Sequence, residues 1–231
     1  MILCLENFNL GMAWFAKLWG SDYVNSEYPA IYQAKNDGLT PEWWRKTTRR
    51  LWDWRAIRSP HSLNSIAAIF AKGLEVLPLL SRAFQRLEKR QVSEPNIEQF
   101  RWEEVAELFW AAHSIKHGAF RCDSPVFGSK LCHFIYPKVF PVLDNLGTGI
   151  FEYEFYWRGM KDEWARFPHK DEARDKLERE ISAQEKVCRD YPFETKIIEL
   201  CHIGYAQASA KLMPAPAARL AGKQAVAATV G

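Results

Sequence analysis

The chain is predicted to be all-α. Apolar residues recur at three- and four-residue spacing through most of its length, and no stretch alternates apolar with polar residues as a half-buried strand does. The breaks between periodic segments carry helix-start and helix-stop residues. With 231 residues, 48% of them apolar, the chain is long enough to bury a substantial core. The expected organisation is a single helical domain over 1–211, followed by a disordered Ala/Pro-rich tail over 212–231.

Thr40-Pro41-Glu42 reads as a helix start: a capping hydroxyl, a proline at the first position and an acid in the first turn. The helix it opens carries Trp43, Leu51 and Trp54 near one face and is expected to end at Ser59-Pro60. A second helix begins near Asn64, with Ile66, Ile69, Phe70, Leu74 and Leu77 on one stripe, and Pro78 kinks or divides it. After the polar link 93–96, Trp102, Val105, Ala106, Phe109 and Ala112 define another helix, running out near Gly118. Residues 121–129 read as a loop, and Lys130 opens a short helical turn stopped by Pro137. The chain then runs extended through 139–143, and a helix is expected after Asp144, followed by a charged helix over 170–189 and a last helix opened by Pro192.

The five cysteines are odd in number and scattered without a CxxC pair, which argues against a disulfide framework or a structural zinc site. His113 and His117 have metal-ligand spacing, but neither an HExxH carboxylate nor a third ligand accompanies them, so no metal and no other cofactor is expected. Glu6 and the lack of a basic N-terminal region argue against a signal peptide, and no apolar run has the length of a membrane span. A cytoplasmic protein without membrane contact is expected. The net charge of +3 is mild, so a nucleic-acid footprint would be local.

Lys130 and Asp144 stand at opposite ends of one short unit, GSKLCHFIYPKVFPVLD. An amine and a carboxylate brought together by such a fold-back can attack and stabilise an electron-poor sugar carbon. The element Gly128-Ser129-Lys130, followed by Pro141-Val142-Leu143-Asp144, resembles the helix-hairpin-helix DNA glycosylases, the superfamily of endonuclease III and the 8-oxoguanine glycosylases. The resemblance covers about residues 100–160. The usual hairpin is shortened here to Val126-Phe127-Gly128, and no iron–sulfur cysteine cluster is present. The resemblance implies a compact helical glycosylase-like fold with a helix-hairpin-helix-like element. It also implies a carboxylate role for Asp144 beneath the sugar carbon and a Schiff-base role for Lys130. Gly128 and Ser129 would hold DNA phosphates.

His133, three residues after Lys130, and Tyr153 and Trp157, after Asp144, are candidates for the wall of a base pocket. The segment 43–55 interleaves Trp43 and Trp44 with Arg45, Lys46, Arg49 and Arg50 and has the ingredients of a phosphate-gripping surface with stacking rings. Residues 42–58 hold six Lys/Arg against two acids. The expected function is a DNA glycosylase-like hydrolase acting on a flipped damaged or modified base in duplex DNA, in repair or in defence against modified foreign DNA. The alternative is a non-catalytic helical module on the same scaffold that binds nucleic acid or protein.

Overall fold

The computed structural model describes residues 1–57, 64–90, 92, 95–116, 125–143 and 152–212. Among them there is no strand. The described residues form nine α-helices: α1 (Leu5–Trp19), α2 (Tyr28–Ala34), α3 (Pro41–Asp53), α4 (Ile66–Glu88), α5 (Trp102–His113), α6 (Val126–Ile135), α7 (Tyr153–Arg166), α8 (Lys170–Ser182) and α9 (Phe193–Leu212). Single 3₁₀ turns occupy Asn25–Glu27 and Ile97–Gln99. The all-α expectation holds.

Helix α6 sits at the centre. Eight of its ten residues are buried, because it is apolar or small on every side, and it packs on both α3 and α5. Helix α4 bridges α3 and α5 on one flank, while α1 and α9 form the most extensive helix pair. That pair is close because two glycines meet backbone: a Cβ at Gly11 would lie 1.8 Å from the Leu200 carbonyl oxygen, and one at Gly204 would lie 1.8 Å from that of Asn7. Glu163 of α7 accepts the amides of Ile2 (2.7 Å) and Leu3 (2.9 Å), fixing the chain at the entry to α1.

Several expected boundaries move. Helix α3 does begin with Thr40 Oγ1 accepting the Trp43 amide at 3.1 Å. It ends at Asp53, well before Ser59-Pro60, because Arg55 takes a left-handed conformation (φ +55°). The Arg55 amide then returns to the Trp52 carbonyl and the Ala56 amide to that of Leu51, the paired bonds of a Schellman stop. Glycine is usual at such a position; here the Arg55 guanidinium lies over the Trp19 ring, 5.0 Å from its centroid. Helix α4 continues unbroken through Pro78.

Helix α6 starts at Val126, so Gly128 and Ser129 belong to its first turns and not to a loop before it. The expected tail lies outside the described residues from 213 onward, as do Gly118, residues 121–124, and Asp144 with the seven residues after it.

Candidate functional site

Beyond α6 the chain turns at Tyr136–Val139 and runs back extended to Leu143. An extended segment without a neighbouring strand must satisfy its backbone polar groups by other means. Here four consecutive carbonyls are each taken by a buried side chain. Trp157 Nε1 donates to Val139 O (3.0 Å), His133 Nδ1 to Phe140 O (2.8 Å), Tyr153 Oη to Pro141 O (2.7 Å) and Tyr156 Oη to Val142 O (3.0 Å). The Leu143 amide donates to Ser129 Oγ at 3.2 Å, and Ser129 passes its own proton to Val126 O (3.0 Å). Thr195 Oγ1 does the same for Pro137 O at 2.8 Å. Each bond contributes about 1 kcal/mol net, and losing one would strand a buried carbonyl at a larger cost. The segment is therefore held at every residue from Val139 to Leu143.

His133 is the pivot of this arrangement. Phe140 O can only accept, so Nδ1 carries the proton, and Nε2 accepts from Tyr28 Oη at 2.8 Å. Burial, aided by the Lys196 cation, lowers its pKa to about 3 although the bond to Phe140 O opposes the shift. The folded protein thus refuses a proton that the unfolded chain accepts near pH 6.5. Stability conferred by the neutral ring is complete above that pH and is lost as pH falls from about 6.5 toward 3. Nitrogen-15 NMR is expected to show the His133 ring in the neutral Nδ1–H form at pH 5, with the denaturation midpoint already lower there than at pH 7. A His133 ring titrating near 6.5 would contradict this bonding scheme.

Three residues expected to line a base pocket are consequently corrected. His133 (1% exposed), Tyr153 (2%) and Trp157 (1%) each donate to the backbone of 139–141 and pack in the core, His133 Nε2 being taken by Tyr28. Tyr153 stacks on Phe109 at 4.4 Å between centroids, with Trp102 against both Tyr153 and Trp157. Trp43 and Trp44 are corrected likewise. Both are buried, with Trp44 Nε1 donating to Phe70 O (2.9 Å) and its ring laid over Gly73, where an added Cβ would come within 2.0 Å of it. Neither ring can reach a base from there. Gly128 and Ser129 are also buried, Gly128 against Phe109 and His113, so neither presents its backbone as a phosphate-binding hairpin.

The basic face of α3 is real but partly neutralised. Glu42 accepts from Arg45 at 2.8 Å and lies 3.4 Å from Lys46, and Arg50 lies 3.9 Å from Glu27. Arg49 is exposed and has no ion-pair partner among the described residues. Two other indoles do reach the surface, Trp52 at 50% exposed and Trp19 at 48%. Trp52, Asp53, Arg55 and Ile57 line a hollow of about 470 Å³ at the C-terminal end of α3.

Lys130 points to that same end. Its ammonium donates to Trp54 O at 2.7 Å, and Lys116 reaches Ala56 O at 3.4 Å. Cations suit the negative end of a helix dipole, and the last carbonyls of a helix lack intrahelical donors. Lys130→Met is therefore expected to cost about 1–3 kcal/mol, the loss of a charged hydrogen bond to a helix end. Thermal denaturation without DNA checks this, and an unchanged melting temperature would remove the capping role.

Among the described residues no cluster of His, Cys, Asp and Glu could hold a metal ion; His117 lies outside them. No described helix is long and apolar enough to cross a membrane. Comparison of the chain with protein-family models, curated proteins and solved structures finds no match.

Proposed function

We propose that the protein is a DNA glycosylase-like hydrolase that breaks the N-glycosidic bond of a flipped damaged or modified base, with Asp144 as the essential carboxylate. The observation that carries this reading is the fivefold anchoring of 139–143. Asp144 follows Leu143 by one peptide link, a Cα step of about 3.8 Å, and the Leu143 amide is bonded to Ser129, the residue beside Lys130. Five side chains thus hold the segment that leads up to the carboxylate, and electrostatic catalysis favours a support that needs no reorganisation as charge develops.

In the proposed reaction the C1′–N bond breaks, its electron pair leaves with the base, and positive charge builds on the sugar. Asp144 stabilises that charge and orients a water, whose oxygen bonds to C1′ while its proton passes to the carboxylate and on to solvent or the departing base. The hollow beside Trp54, with exposed Trp52, Arg55 and Arg49 on the same helix end, offers guanidinium groups for phosphates and a ring for stacking. A Schiff-base role for Lys130 requires its ammonium to leave Trp54 O and lose a proton. Repair and defence against modified foreign DNA, in the cytoplasm, are both compatible roles.

The test is base release from a panel of duplex oligonucleotides, each with one oxidised, alkylated or otherwise modified base, by wild type and by Asp144→Asn. Release by the wild type alone supports the reading. Full activity of the variant removes Asp144 from the reaction. Salt-dependent DNA binding without release on any substrate leaves the non-catalytic binding module.

A further inference from the structure

A cleft of about 770 Å³ lies just past the C-terminal end of α6, where the turn carrying Lys138 meets the first residues of α8 and α9. Two long helices thus direct their N-terminal ends, the positive ends of their dipoles, into one space. The side chains there add to that field. Lys170 holds its ammonium 5.2 Å from the Trp164 ring centroid and 3.1 Å from Glu98. Lys138 lies 3.3 Å from Asp190. The exposed Arg174 packs its guanidinium 5.0 Å from the Phe193 centroid and has no ion-pair partner among the described residues.

Two residues lining this cleft each carry a buried polar atom without a protein partner: the indole Nε1 of Trp164, a residue only 3% exposed, and Oε2 of Glu194 in the first turn of α9. An orphan indole donor and an orphan carboxyl oxygen in the same cleft are uncommon, because each costs free energy unless something else bonds to it. We propose that this cleft binds a small phosphate monoester, its phosphate on Arg174, Lys170 and the two helix ends, and its alcohol portion bonded to Glu194 and Trp164. The lining holds five cationic and five acidic side chains, so the selection of an anion rests on the two helix ends and on Arg174, a cation with no ion-pair partner among the described residues. Its volume falls in the range that holds such a molecule, ~300–1,000 Å³.

Glu194 makes the site sensitive to pH. Burial raises its pKa to about 7; Glu98 pushes in the same direction, while Lys170, Arg174 and Lys138 oppose it. The neutral carboxyl can donate as well as accept, whereas the ionised form repels an anion. Above neutrality a phosphate monoester is already almost fully dianionic, its second pKa being about 6. A fall in affinity there reports on Glu194.

Isothermal titration calorimetry of the full chain with inorganic phosphate, glycerol phosphate and adenosine monophosphate tests the proposal. At least one of the esters should bind more tightly than inorganic phosphate, and the preferred ester reveals which alcohol the cleft takes. Arg174→Met, at an exposed position and therefore expected to fold, should weaken ester binding about tenfold, the loss of one charged contact. Affinity should fall about fivefold between pH 7 and pH 8 as Glu194 ionises, and Glu194→Gln should remove that dependence while still binding. Absence of ester binding, inorganic phosphate bound as tightly as either ester, or wild-type affinity in Arg174→Met would each overturn the proposal. Because the cleft is distinct from the segment leading to Asp144, Asp144→Asn should bind the ester normally, so failure of one proposal leaves the other standing.

Discussion

Asp144→Asn is expected to slow base release by about two to three orders of magnitude, the range found when a preorganised electrostatic stabiliser is removed, while DNA affinity changes little. The substitution keeps the size and shape of the side chain and removes the charge. An amide cannot offset positive charge on the sugar, nor can it take a proton from the attacking water. Binding should persist because the groups that would grip phosphate, Arg49 and Arg55, lie on α3 and beyond it and do not depend on the carboxylate. The fold should also persist, since the bonds that hold 139–143 come from Trp157, His133, Tyr153, Tyr156 and Ser129. Single-turnover kinetics on the best substrate, set beside a binding isotherm at the same salt concentration, separates the two effects. Equal loss of binding and release would mean that position 144 holds DNA without taking part in the chemistry.

The largest effect on stability is expected from Gly11→Ala. The new methyl group would lie 1.8 Å from the Leu200 carbonyl oxygen and 2.6 Å from its carbon, both backbone atoms of α9, so no side-chain rotation relieves the clash. The two helices must part, and Gly204, whose Cβ position is 2.8 Å from the Gly11 nitrogen, would be displaced with them. Overpacking of this kind costs about 3 kcal/mol or more, and a chain of this size loses roughly 2–4 °C in melting temperature per kcal/mol. A drop near 10 °C is therefore expected. Gly159→Ala is the control: its Cβ would meet no atom within 4 Å in the middle of α7, so the better helix former should gain about 0.5–1 kcal/mol. Opposite signs for one chemical change at two helical glycines would establish the close crossing. A Gly11→Ala protein that melts with the wild type would refute it.

The sequence by itself determined the helical character of the chain and several of its helices. Thr40-Pro41 starts α3 where expected, the stripe from Trp102 to Ala112 is buried on α5, and the charged helix expected from 170 is α8, which stops at Ser182 and not at 189. These features are local: capping needs only neighbouring residues, and a 3.6-residue period names the buried face wherever the helix packs. The extended run through 139–143 and the proximity of its end to the start of α6 were legible too, because prolines and Ser129 lie within the same short unit.

Tertiary structure decided the rest. No element was assigned before Thr40, yet α1 makes the most extensive helix contact among the described residues. Its role depends on Gly204 of α9, nearly two hundred residues from Gly11, which no local pattern couples to it. Nor did periodicity reveal that Trp43 and Trp44 would both be buried while Trp52 and Trp19 reach solvent. That follows from Gly73 opening room on α4 for the Trp44 ring, and from Arg55 stopping α3 early. The roles of His133, Tyr153, Trp157 and Lys130 were hidden for one physical reason. A polar side chain on an apolar segment can face a ligand or a stranded carbonyl equally well, and only the folded path of a distant backbone shows which of the two it meets.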